Sequence, residues 1–108
     1  MSVATIRVAD LAQATRALER ARAEGVEARL VSAAEVTAFA GVGYWHTLEL
    51  ALGHPIVIDC GDDPGLAMAA LRVGSRDLLF TGPEAVAVKL EGMAVQLGAT
   101  LRRGLDDA

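Results

Sequence analysis

Pro55-Ile56-Val57-Ile58-Asp59-Cys60-Gly61-Asp62-Asp63-Pro64-Gly65, running on through Leu66-Ala67-Met68-Ala69-Ala70-Leu71-Arg72-Val73-Gly74, sets a strand, a turn and a helix end to end. Ile56-Val57-Ile58 is a continuous β-branched run, the pattern of an interior parallel strand covered on both faces. Asp63-Pro64 places a carboxylate acceptor at an N-cap and a proline at the first helical position, where its missing N–H costs nothing. Leu66, Ala69, Ala70 and Val73 then recur at helical spacing as an inner face, and Gly74 ends the helix. Between strand and helix lies an acidic turn that carries the only cysteine of the chain.

The same strand–helix unit recurs on either side. Residues 3–8 alternate, with Ala4, Ile6 and Val8 on one face, and predict a strand. Asp10 stands at an N-cap ahead of Leu11, Ala14, Leu18 and Ala21, and Gly25 closes that helix. Val26 to Val31 predicts a second strand, with Val26, Ala28 and Leu30 opposed to Glu27 and Arg29. Ser32-Ala33-Ala34-Glu35 is a capping-box pattern that starts a helix at Ala33. Gly41 and Gly43 each cost a helix interior about 1 kcal/mol relative to alanine. The expected course is a break at Gly41-Val42-Gly43, a restart at Tyr44 and an end at Gly53 and Pro55.

Asp77 to Phe80 reads as a fourth strand. Thr81-Gly82-Pro83-Glu84 repeats the proline-led helix start, with Val86, Leu90, Met93 and Leu97 as the inner face. Ala99-Thr100-Leu101 makes a short edge strand. The reading is one domain over residues 1–104 with a tail at 105–108. Strands alternating with helices imply right-handed crossovers and a parallel sheet. The expected fold class is therefore α/β: a three-layer open sheet of four to five strands with helices on both faces. Its expected order is 2-1-3-4, or 2-1-3-4-5, flavodoxin-like or Rossmann-like. Four such units are also half of an eight-fold barrel, the less usual solution at this length.

Composition narrows the function classes. The chain has 108 residues, 53% hydrophobic and 22% charged, which excludes disorder and leaves room for one core. Mean hydropathy is +0.37 while aromatics are only 4%, so the core is built from alanine, valine and leucine. A small chain this apolar is expected to self-associate, a homo-oligomer with the dimer as its simplest form. The net charge is −4, and Arg16, Arg20 and Arg22 are interleaved with Glu19 and Glu24. No basic stripe results, and nucleic acid is not an expected partner. No apolar run approaches the ~20 residues that span a bilayer. The N-terminus lacks a signal-peptide pattern, and a lone cysteine makes a reducing cytoplasm the default location.

In an open parallel sheet, ligands bind beyond the carboxyl ends of the strands. That rule selects Asp10, Ser32, the turn Asp59-Cys60-Gly61-Asp62-Asp63, and Thr81-Gly82 as a site for a small molecule or protein partner. Tyr44 and Trp45, after the glycine pair, add a stacking wall or an anchor. No cofactor is evident. Oxygen ligands in the acidic turn suit Mg²⁺, although three acids in five residues do not match a dedicated calcium loop. A second class of reading makes this a hydrolase or lyase-like enzyme, in which Cys60, Asp59 and Asp62 work with a histidine, His46 or His54, as base. The neighbouring aspartates oppose it, because carboxylates disfavour a thiolate. Asp59 after the third strand and Thr81 after the fourth resemble the receiver domains of response regulators. Only Asp10 stands where those domains carry an acidic pair, and Arg102 or Arg103 stands where they carry lysine, so the family is not assigned. The reading favoured by the sequence is a self-associating α/β module that binds its ligand or partner at the strand ends.

Overall fold

Val3–Val8 forms β1 over the whole span that its alternation predicts, with Ile6 and Val8 turned to the core and Ala4 half-buried. The structure is a computed structural model that describes residues 2–105. Asp10 caps α1 (Leu11–Glu24) by accepting the Gln13 amide, and Gly25 closes it in the left-handed conformation. β2 spans Glu27–Ser32, so Ser32 ends a strand instead of capping a helix. Ala33 takes the cap position of α2 (Ala34–Ala40) and makes no side-chain cap bond. The expected break falls at Gly41, whose φ of 86° and ψ of 157° no helix accommodates. α3 restarts at once, over Val42–Leu52, and keeps Gly43 inside it.

β3 (Ile56–Asp59) is buried along its whole length. Asp63 caps α4 (Pro64–Val73) through the amides of Gly65 and Leu66, with Pro64 at the helix start as the sequence predicts. β4 is Asp77–Leu79, and α5 is Glu84–Gln96. Pro83 sits at the cap of α5 and not at its first helical position. β5 is Thr100–Arg102. Among the described residues this makes a small α/β domain of five helices on one parallel sheet of five strands.

The strands lie in sequence order, β1-β2-β3-β4-β5, and each adjacent pair is parallel. The expected 2-1-3-4-5 order does not form, because the chain never reverses its direction across the sheet. Right-handed crossovers that all advance the same way put every helix on one face. The packing agrees. Ala14, Trp45, Ala67 and Ala87, from α1, α3, α4 and α5, share one core with Val8, Leu30, Ile58, Leu78 and Leu101. Val31, Val57 and Leu79 form a separate cluster on the other face, and the residue packed on them is Leu105. The domain has two layers, not three. Leu105 thus belongs to the fold, while the rest of the expected tail, 106–108, lies outside the described residues.

Alanine explains how the helices sit. Ala14, Ala67, Ala70, Ala87 and Ala94 are wholly covered, whereas Val73, Met93 and Leu97 of the expected inner faces are exposed. One residue is a rotation of about 100° on a helix. α4 and α5 are turned by that step, so that their smallest side chains meet the sheet and their backbones approach it closely. Trp45, with no exposed surface, fills the larger space over the centre.

Candidate functional site

At the carboxyl ends of the strands, the Asp59 carboxylate is held from two sides. Arg7, reaching across from β1, donates to Asp59 Oδ2 and to the Ser32 carbonyl. The Gly61 amide donates to Asp59 Oδ1 at 2.9 Å. The Asp59 amide in turn donates to Ser32 Oγ at 2.8 Å. Thr37 gives its hydroxyl proton to the Ala33 carbonyl, so in the 2.6 Å contact between the two hydroxyls Ser32 is the donor. Ser32 and Thr37 have no exposed surface. This is a closed network tying β1, β2, β3 and α2 together, with every acceptor engaged.

The remaining predicted residues scatter around it. Asp10 and Asp63 are spent as helix caps. Asp62 is exposed. The Gly61 carbonyl accepts the Thr81 amide at 2.8 Å, which joins the turns after β3 and β4. Gly82 is required by space, since a Cβ there would lie 2.4 Å from the buried Phe80 ring. Trp45 is core and offers no stacking wall, and Tyr44 packs edge-on against it with centroids 5.3 Å apart. The Tyr44 hydroxyl donates to the Ala9 carbonyl. Among the described residues no group of three or more His, Cys, Asp or Glu side chains converges as a metal would need.

Cys60 is buried, and its Sγ lies 3.5 Å from the Ile58 carbonyl. Burial, then the charges of Asp59 and Asp63, push its thiol up to about 12. A nucleophile needs the thiolate, and at neutral pH this group does not supply it. Neither histidine is near it. His46 packs against Gly74, the residue that closes α4, and lies 3.8 Å from Glu49. Glu49 accepts the amide of Ile56, the first residue of β3. His54 bonds the Pro55 carbonyl. Both histidines thus lie at the amino end of β3 and Cys60 beyond its carboxyl end, about 13 Å apart along a four-residue strand. Cys60, Asp59 and His46 are not brought together.

Three features escaped the sequence. Arg7 is the partner of Asp59, and only the pairing of β1 with β2 brings it there. His46 Nδ1, Glu49 Oε1 and Ser75 Oγ near the amino end, and Trp45 Nε1, are buried without hydrogen-bond partners among the described residues. Desolvation raises the Glu49 carboxyl above its ordinary range, against the pull of the Ile56 amide and His46. The third is a groove of about 830 Å³ between α1 and the outer side of β1. Ala4, Ile6, Val8 and Ala17 form its floor, and Arg16, Glu19 and Arg20 its rim. The alternation of β1 carried that signal, but only strand order shows that β1 lies at an edge. A smaller pocket, about 180 Å³, opens at the base of the strands beside Arg29, His54, Asp77 and Arg102.

Against protein-family models, curated proteins and solved structures, the chain gives no match. Among the described residues no helix is long and apolar enough to cross a membrane.

Proposed function

We propose that this protein works by association with itself and not by catalysis, with the groove between α1 and β1 as its recognition surface. The observation that carries the reading is the pairing of an apolar floor with a charged rim along a strand that has no outer neighbour among the described residues. Such a floor loses free energy when a partner covers it, roughly 25 cal/mol per Å² of apolar surface. The rim supplies selectivity. The catalytic alternative lacks support, because its thiol is neutral and enclosed and its histidines lie at the other end of the strand. The strand ends are also a poorer recognition surface than the groove, since Asp10, Ser32, Asp59 and Asp63 are engaged within the fold.

Sedimentation of the purified chain across a wide concentration range tests the reading. The expected result is a mass above monomer, returned to monomer by Ala17→Arg on the groove side of α1 with the helical circular dichroism retained. A monomer mass at every concentration overturns it.

A further inference from the structure

The two edges of the sheet differ in how they are guarded. Strand edges invite further pairing, and monomeric proteins blunt them with short strands, charges, proline or bulges. β5 is blunted: it has three residues, and Arg102 and Arg103 at its end are tied to Asp77, Glu84 and Glu91. β1 has six residues, no proline, and one charge, Arg7, which is drawn to Asp59 on the helix-free face.

We propose that two copies join through their β1 edges, antiparallel about a two-fold axis normal to the sheet, to make one continuous ten-stranded sheet (twice the five strands of each copy). This deepens the association reading above and rests on it. Symmetry, register and charge carry it. A two-fold axis normal to the sheet keeps the helices of both copies on the same side, so the grooves face each other and merge. Pairing about the middle of β1, at Thr5 or Ile6, sets Arg7 opposite Val3 or Thr5 and never opposite the Arg7 of the other copy.

The third is charge. α1 packs about equally on β1 and β2, so it lies over the line between them. With strands about 4.8 Å apart, the two α1 helices then lie about 10 Å from each other, the distance at which helices pack. α1 runs opposite to β1, from Asp10 at its top to Gly25 at its base. At about 1.5 Å per helical residue against about 3.3 Å per strand residue, the middle of β1 is level with the stretch between Ala17 and Arg20. Within that stretch, an axis between Ala17 and Leu18 sets Glu19 of each copy against Arg16 of the other, and an axis between Glu19 and Arg20 sets it against Arg20. The rim is complementary to itself.

Charge reversal and cross-linking test the arrangement. Glu19→Arg alone, and the double variant Arg16→Glu with Arg20→Glu alone, are each expected to weaken the dimer at least tenfold, and mixing the two is expected to restore it as a mixed dimer. Thr5→Cys or Ile6→Cys is expected to form an intermolecular disulfide on mild oxidation, with the enclosed Cys60 as an unreactive internal control. If the chain associates but neither cysteine cross-links and the charge variants associate like the parent, the β1 arrangement is wrong while the association reading stands. If the parent chain is a monomer throughout, both fall.

Discussion

Val57 and Ile58 are neighbours on β3 and point to opposite faces, and their surroundings differ in kind. Ile58 lies among Trp45, Ala67, Leu78 and the rest of the helix-covered core. Val57 is almost as well covered, at 3% exposure, yet among the described residues its apolar cluster is only Val31, Leu79 and Leu105. By register, Arg7 stands beside Val31, and Asp59 and Arg102 beside Leu79. Arginine stems and paired carboxylates thus do on this face what five helices do on the other. A parallel sheet needs both faces shielded, and here the second shield is ionic and thin.

Paired substitutions probe that difference. Ile58→Ala opens a cavity in a rigid interlocked core and is expected to cost about 3 to 4 kcal/mol. Val57→Ala is expected to cost about 1 to 2 kcal/mol, because flexible stems can close over the gap. Denaturant unfolding gives both values, and equal losses would mean that the thin face is packed as firmly as the thick one. Asp59→Asn leaves an acceptor for the Gly61 amide but removes the charge facing Arg7. Because the Arg7 side chain is 45% exposed, water recovers part of the loss, and about 1 kcal/mol is expected.

On the helix side, Glu49 gives the opposite sign. Its carboxyl is raised in the folded chain, so as pH rises the unfolded chain loses that proton first and the folded state is penalised. The penalty grows as pH rises through the raised folded value and vanishes below the ordinary carboxylate range, near pH 4. Glu49→Gln keeps an acceptor for the Ile56 amide and is expected to raise Tm at pH 7, with the gain closing as pH falls toward 4. A gain that grows on acidification would reverse the sign and contradict burial as the cause. The smallest effect concerns Cys60, where iodoacetamide is expected to label the native chain far more slowly than the unfolded one. Equal rates would place the thiol outside the core.

Local signals in the sequence were strong where one residue type has a single good use. Asp10, the Asp63-Pro64 pair, Gly25 and Gly74 mark helix ends through caps and left-handed turns, and β1 follows its alternation residue for residue. Strand order has no such local signature, since nothing within a crossover helix states which edge the next strand joins. A clue to sidedness was nevertheless present. Arg7, Arg29, Asp77 and Arg102 fall on one face, which a sheet sandwiched between two helix layers would not tolerate. The run Ile56-Val57-Ile58 suggests double cover instead. The candidate catalytic group was legible in part. Asp59 and Asp63 beside Cys60 argue against a thiolate from sequence alone. The position of His46 depends on how α3 is rotated after the break at Gly41, and no pattern in the chain records that.

Sequential strand order also bears on how the chain reaches this fold. Each strand pairs only with those adjacent to it in the chain, so no pairing has to wait for a distant segment to arrive. Parallel sheets usually fold slowly because their contacts span long loops. Here every loop closed is a single crossover, and its entropy cost is of the same modest order each time. The polypeptide can therefore add one strand and its helix to whatever is already formed, beginning at β1 and finishing at β5 as it leaves the ribosome.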